Sequence, residues 1–436
     1  MYNLQNLLST QLFTDNNDLL RIRFPSGYSG YGALVLNSEI VDTKSGLDKI
    51  ILSAVDSGQS SGLHNQGTIR SRGTLRLKST FIKNYYRIAT GDNNDKIATS
   101  ADFTNFGLVR TKLGKDKINV EGVLTNLGKG KIFTGDDDDS ITAGSIVNRA
   151  KIRMDEGFDT IKNTATTKYS VGIQNFGKIH TGEGDSEIMA IGKRAGLELR
   201  DGGKVIGGGD NDKIDAYASA HFPFSAEHDY SAGICVNGSG MNNPRGLMVT
   251  RAGDDKIATS GYYGLRDKTK SGVGTLINMG AGEDSFTATG AISVFQNIDN
   301  GLTDLATVMM GDGDDKVDVV TGKLAGIIDL GDGDDIFKSN GDGGWCRGGA
   351  GIDKLLLDEG TYMINELEIP VIAGEPAFEN LFTIYNTELE LGPSTVQTLS
   401  GMNFIGGLEG GESELQAGTY QVSRGLGSYV EPALLA

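Results

Sequence analysis

Gly311-Asp312-Gly313-Asp314-Asp315-Lys316-Val317 and Gly331-Asp332-Gly333-Asp334-Asp335-Ile336-Phe337 are two copies of one phrase, and Gly349-Ala350-Gly351-Ile352-Asp353-Lys354-Leu355 is a third. Each ends on a large apolar residue, with Asp two positions earlier and Gly four positions earlier. Outward from these copies the apolar member recurs at Ile50, Ile97, Ile118, Ile141, Ile161, Ile188, Ile214, Ile257 and Phe286. Two residues before these stand Asp48, Asp95, Asp116, Asp139, Asp159, Ser186, Asp212, Asp255 and Asp284. Four residues before them stand Gly46, Asn93, Gly114, Asp137, Gly157, Gly184, Asp210, Gly253 and Gly282. Gly, Asn and Asp are the residues that tolerate positive φ. A backbone requirement repeated this often marks a structural repeat, and the repeat decides the fold.

The markers are mostly 18 to 31 residues apart. The interval of 47 from Ile50 to Ile97 and that of 43 from Ile214 to Ile257 each hold two coils, or one coil with an insertion. A second turn tracks the first. Asn105-Phe106-Gly107, Asn126-Leu127-Gly128, Asn148-Arg149-Ala150 and Asn175-Phe176-Gly177 lie 11 to 13 residues before the next Asp or Ser marker. Short β-favouring stretches such as Lys131-Ile132-Phe133-Thr134 flank these turns. Strands of 4–6 residues joined by Gly and Asn turns describe a coil. Proline agrees, being absent from 26–222 and 245–369, as expected where every strand donates to a ladder. Pro223 and Pro244 fall in the second long interval, which reads as an insertion.

The expected fold is therefore all-β, a right-handed parallel β-solenoid of β-roll or β-helix type. Residues 1–40 lack the motif and read as an N-terminal cap. The solenoid covers 41–357, with an insertion at 215–256. Asp is absent after Asp358 and Lys after Lys354, so 358–436 reads as a separate C-terminal region, strand-rich over 361–391. Thirteen or so coils at ~4.8 Å each would make a rod roughly 60 Å long.

The fullest copies resemble the hemolysin-type calcium-binding (RTX) repeat, G-G-x-G-x-D-x-U-x with U a large apolar residue. The resemblance covers roughly 45–357 and is most specific over 280–357. It implies Ca²⁺ bound along the turn edge. The residues that match are Gly311, Gly313 and Asp315; Gly331, Gly333 and Asp335; Gly349, Gly351 and Asp353; Gly282 with Asp284; and Asp255, Asp212, Asp159, Asp139, Asp116 and Asp95. Ca²⁺ takes 6–8 oxygen ligands at 2.3–2.6 Å, and a turn offering carbonyls and a carboxylate suits it. The family usually runs in tandem nonapeptides, whereas here the motif occurs about once per coil. Leading glycines are also lost at Arg251 and Asp155. The expectation is an ion ladder on one edge, filled mainly towards the C-terminal end. The plain alternative is that these Asp only favour turns, with Lys49, Lys96, Lys117, Lys213, Lys256, Lys316 and Lys354 compensating part of their charge.

Composition narrows the function. With 40 Lys+Arg against 57 Asp+Glu, the net charge of −17 argues against nucleic acid and for cations. No apolar run approaches a membrane span. Gly is abundant at 64 residues, yet there is no Gly-X-Y period. Cys235 and Cys346 read as buried thiols. Residues 1–24 do not read as a secretory signal, which suits the one-step export by an uncleaved C-terminal signal that the resemblance implies.

The expected function is a secreted or cell-surface calcium-binding structural protein that folds and self-associates with Ca²⁺, with cell-surface polysaccharide as a further candidate partner. The rivals are a carbohydrate-active β-helix enzyme (a polysaccharide lyase or epimerase) and a glycan- or ice-binding module. Catalytic candidates are weak. Gly58-Gln59-Ser60-Ser61-Gly62 matches G-x-S-x-G with His64 nearby, but no helix follows to make a nucleophile elbow. No H-E-x-x-H occurs. His221-Phe222-Pro223-Phe224-Ser225-Ala226-Glu227-His228-Asp229-Tyr230 is the only cluster joining His, carboxylate and aromatics.

Overall fold

The computed structural model describes residues 19–24, 32–36, 40–54, 61–164, 171–219, 231–237, 246–267, 275–296, 307–324, 326–339, 342–351, 353–357, 360–367, 381–386, 399–404 and 418–422. Every regular element among them is a β-strand. The strands form two units, Met1–Lys193 with Gly203–Gly208, and Arg194–Gly202 with Gly209–Ala436. Each is a parallel β-solenoid with its coils in register.

In the first unit the apolar markers form one column: Ile50 lies beside Leu77, then come Ile97, Ile118, Ile141, Ile161 and Ile188. Leu77 shows that the 50–97 interval holds two coils. A second column on the same sheet runs Leu63, Ile82, Phe103, Leu124, Ile146 and Ile173. The other sheet contributes Val41, Ile69, Ile88, Val109, Ile132, Ile152, Ile179 and Val205. All three columns are buried. β-Branched side chains suit such columns because their stiff χ1 packs well on a pleated surface. Each buried aliphatic side chain adds about 1.5–3 kcal/mol, so the core grows with every coil.

The second unit repeats the plan. Ile214 pairs directly with Ile257, so that long interval is one coil, followed by Phe286, Val317, Phe337 and Leu355. Its other sheet stacks Met248, Ile277, Val308, Ile328 and Cys346. Strands Ala232–Asn237 and Leu247–Val249 belong to the long coil. The His221–Tyr230 cluster lies outside the described residues.

The two units are edged differently. The stretch assigned by sequence to an N-terminal cap contributes Leu19–Phe24, Gly32–Leu36 and Ile40–Asp42, all parallel to the next coil. In the second unit the pairing changes sense. Leu381–Asn386 lies antiparallel to Asp342–Ala350, and Leu399–Phe404 lies antiparallel to Asp353–Leu357. Gly360–Leu367 and Gly418–Val422 complete this antiparallel group.

Candidate functional site

The turn before each apolar marker is built by backbone conformation. Of the positions four residues before the marker, Gly46, Gly114, Asp137, Gly157, Gly184, Gly253, Gly282, Gly313, Gly333 and Gly351 have positive φ, whereas Asn93 and Asp210 do not. Two residues earlier the pattern repeats at Gly135, Gly182, Gly280, Gly311, Gly331 and Gly349. Lys44, Lys112, Asp155 and Arg251 keep positive φ there without being glycine, at 62°, 78°, 87° and 84°. Glycine is favoured by space as well as by φ. A Cβ on Gly311 would overlap the carbonyl oxygen of Gly280 in the coil below.

This turn aims the motif Asp inward. Asp95, Asp116, Asp139, Asp159, Asp212, Asp255, Asp284, Asp315, Asp335 and Asp353 are all buried. Each carboxylate reaches back one coil. Asp116 Oδ1 accepts from the Asp95 amide at 2.7 Å, Asp139 from Asp116 at 2.7 Å, and Asp159 from Asp139 at 2.8 Å. In the second unit Asp255 accepts from Asp212 at 2.6 Å, Asp284 from Asp255 at 2.8 Å, and Asp315 from Asp284 at 2.8 Å. Asp335 accepts from Asp315 at 2.8 Å and Asp353 from Asp335 at 3.1 Å. Ser186 breaks the column in the first unit. Its hydroxyl donates instead to the Gly184 carbonyl at 3.3 Å.

Only one oxygen of each carboxylate is used this way. Oδ2 of Asp95, Asp116, Asp139, Asp159, Asp255, Asp284, Asp315, Asp335 and Asp353 is buried and accepts no well-formed hydrogen bond. The hydroxyls of Thr90, Thr111, Thr134 and Thr250 lie beside Asp95, Asp116, Asp139 and Asp255 and offset part of the burial cost, while donating to backbone carbonyls. A desolvated carboxylate with a bare oxygen resists ionisation. Burial first, then the charges of neighbouring Asp, raise Asp116, Asp139 and Asp315 to about 8. The same causes raise Asp159, Asp284 and Asp335 to about 7. Asp95, Asp255 and Asp353 rise to about 6, again chiefly through burial.

The residue before the motif Asp makes a second, outer ladder. Asp138 accepts from the Phe158 amide at 3.1 Å, Asp254 from Glu283 at 3.0 Å, and Asp314 from Asp334 at 2.9 Å. Asn94 and Asn211 do the same for Lys115 and Asp254. The Asp-Asp pairs of the repeat thus cap amides of two neighbouring coils. The Lys that follow play no part: Lys96, Lys117, Lys256 and Lys316 are exposed and make no ion pair among the described residues.

The corner can be tested as a Ca²⁺ site from its donors. All are oxygens, as a hard cation requires, and the bare Oδ2 atoms call for a positive partner. Among the described residues no group of three or more His, Cys, Asp or Glu is arranged to hold a metal. A cation at this corner would take one or two ladder carboxylates and complete its shell from turn carbonyls. Some of those carbonyls already accept ladder bonds, such as Asp312 from Gly282 and Asp332 from Gly313, and a carbonyl retains a second lone pair. The donor set fits.

The other corner is a neutral counterpart. Asn65, Asn84, Asn105, Asn126, Asn148 and Asn175 are buried in one column. From Asn65 to Asn148, each Nδ2 donates to the next Oδ1 at 2.8 or 2.9 Å. An amide carries both donors and acceptors, so each member satisfies its neighbour, and only the Asn65 oxygen at the start of the ladder is left without a partner. The Asn-x-Gly pattern gives Asn105, Asn126 and Asn175. It also fits Asn65-Gln66-Gly67, while Asn84, followed by Tyr85-Tyr86, departs from it.

The weaker sequence candidates do not assemble. His64 packs edge-on against Phe81, 5.5 Å between ring centres, and Ser60 lies outside the described residues. Cys235 and Cys346 are buried and form no disulfide. A separate polar cluster stands in the second unit, where buried Glu198 pairs with Arg194 at 3.0 Å and with Arg200 at 4.0 Å. It is an ion-pair network, in which the one carboxylate is held by two guanidinium groups. Compared with protein-family models, curated proteins and solved structures, the chain matches none.

Proposed function

We propose that the protein is a calcium-binding structural solenoid that works outside the cell, at its surface or in its matrix. The observation that carries the reading is the column of buried carboxylates whose second oxygens lack a partner. Neighbouring carboxylates stand about 4.8 Å apart, and like charges that close cannot all ionise in a desolvated corner. Ca²⁺ supplies the missing positive charge with oxygen-only chemistry. The extracellular assignment rests on the resemblance to the hemolysin-type repeat. Calcium titration should accordingly show weak sites, of the extracellular class at about 10⁻⁴–10⁻³ M, if each ion has only one or two carboxylates.

A second reading has its own observation. The raised pKa values, to about 8 at Asp116, Asp139 and Asp315, let protons take the place of the ion. Circular dichroism melts at pH 8, with chelator and then with excess Ca²⁺, test the first reading. Calcium should raise the melting temperature and the strand signal, because a ligand of the folded state stabilises by mass action. Identical melts in both buffers would remove calcium and leave the proton reading.

A further inference from the structure

The motif carboxylates look alike in sequence, yet the side chain beside each one changes along the chain. Seven positions before the apolar marker, three coils of the first unit carry a threonine. The hydroxyls of Thr90, Thr111 and Thr134 lie beside Asp95, Asp116 and Asp139. Thr250 stands beside Asp255 in the same way. Over the next three coils that position holds Met279, Met310 and Leu330, all fully buried. Among the described residues, Asp284, Asp315 and Asp335 accept hydrogen bonds from backbone amides alone.

A threonine hydroxyl both donates and accepts, whereas leucine has no polar atom and a methionine thioether accepts only weakly. Threonine thus offers hydrogen bonding to the oxygen that the ladder leaves over, and Met or Leu does not. Asp284, Asp315 and Asp335 are 2%, 1% and 0% exposed, and their Oδ2 atoms accept no hydrogen bond. Each also has a motif carboxylate in the coil on either side, so its charge is opposed twice. Asp159 follows Met154 in the same arrangement, but Ser186 stands next in the column and leaves one flank uncharged. The turns differ in the same sense. In the first unit Lys112 pairs with Asp92 at 3.1 Å, and Lys115 pairs with Asp138. The turns 280–284, 311–315 and 331–335 hold only Gly, Ala, Asp and Glu.

We infer that calcium is needed by the second unit and not by the first. Asp284, Asp315 and Asp335 hold the ions that order their coils, whereas threonine hydroxyls and turn lysines order the first unit without an ion. The inference rests on the calcium reading above, and adds which carboxylates need the ion and which neighbours decide it. Met279, Met310 and Leu330 are the deciding residues, because they withhold the polar atom that a threonine supplies. Without calcium the first unit is folded and the second is not. The cation then completes the chain, since a ligand of the folded form draws its own coils into order.

Hydrogen exchange read by mass spectrometry, on the full chain at pH 8 in chelator and in calcium, tests it. Peptides covering Lys117–Asn126 and Ser140–Asn148 should be equally protected in both buffers. Peptides covering Thr307–Asp312 and Ile327–Asp332 should exchange about tenfold faster or more in chelator, as local opening there goes uncorrected. Thr111→Val tests the decision at one residue. Valine keeps the shape and removes the hydroxyl, so the first-unit peptides should now lose protection in chelator and regain it in calcium. A loss that calcium does not repair, or no loss at all, would make Thr111 an ordinary core residue and overturn the inference. Calcium protecting both units of the parent equally would overturn it while leaving the calcium reading in place. Exchange indifferent to calcium everywhere would overturn both.

Discussion

Asp335 shows what one motif residue does. Its Oδ1 accepts the Asp315 amide at 2.8 Å while its Oδ2 is bare. Asp335→Ala leaves that amide buried and unpaired, a loss of about 1–3 kcal/mol, to be read as a lower melting temperature with or without calcium. Asp335→Asn separates the two roles. It keeps an acceptor for the Asp315 amide and removes a charge from a desolvated corner. In chelator at pH 8 this variant should melt above the parent, whereas in calcium it should lose an ion, counted by isothermal titration. An unchanged ion count would detach Asp335 from the metal. The turn glycines give a test of the other kind. Lys112 holds φ at 78°, so Lys112→Gly should stabilise by up to about 1 kcal/mol, while Gly311→Ala should fail to close its coil. Much of this is legible in the sequence: spacing alone gives the inward apolar column and the positive-φ positions other than Asn93 and Asp210, where the residue type tolerates positive φ but the backbone does not adopt it. The amide acceptor role of each Asp is hidden, because it depends on a coil 18 to 43 residues away that no local pattern reveals. Lys112 and Arg251 are hidden too, since nothing in either residue type announces positive φ.

At the scale of the element, the two corners form a natural comparison. The asparagine ladder is neutral and self-satisfied, so its contribution does not change with pH. The aspartate ladder carries raised pKa values, to between about 6 and about 8, against 3.8 for the unperturbed carboxyl. A group whose folded pKa lies above its unfolded value stabilises below the unfolded value and loses that contribution as pH rises through the folded one. Without calcium the melting temperature should therefore fall steadily from about pH 4 to about pH 8. Calcium needs the ionised carboxylates, so its effect runs the opposite way and grows over the same range. Melts with and without calcium should converge near pH 4 and separate by pH 8. Parallel curves would mean that the ion sits elsewhere than on the ladder. The long intervals mark the limit of reading elements from sequence. Leu77 continues the Ile50 column with Leu75 in place of the motif Asp, so the coil is invisible to a search for Asp. It folds because the apolar column alone satisfies the core.

For the molecule as a whole, the open question is whether copies join end to end. Parallel coils expose amides and carbonyls at their last strand, and such edges recruit other chains unless they are covered. The lack of Asp and Lys after Asp358 leads one to expect an adhesive C-terminal edge. The strands give a different answer at that place. Asp342–Ala350 and Asp353–Leu357, the last parallel strands, already have antiparallel neighbours in Leu381–Asn386 and Leu399–Phe404. Charge is one way to blunt an edge and strand pairing is another; composition reports only the first. At the start of the first unit, Leu19–Phe24 pairs with Leu47–Ala54, and no further strand pairs with it among the described residues. Head-to-tail growth needs two complementary ends, and a covered C-terminal edge withholds one of them. Contact between two N-terminal ends, by contrast, uses the same surface twice and closes on itself. Light scattering over rising protein concentration in calcium should therefore show a mass that stops at the dimer. A mass that keeps rising with concentration would mean that the antiparallel strands come away and that the C-terminal edge joins copies into a lattice after all.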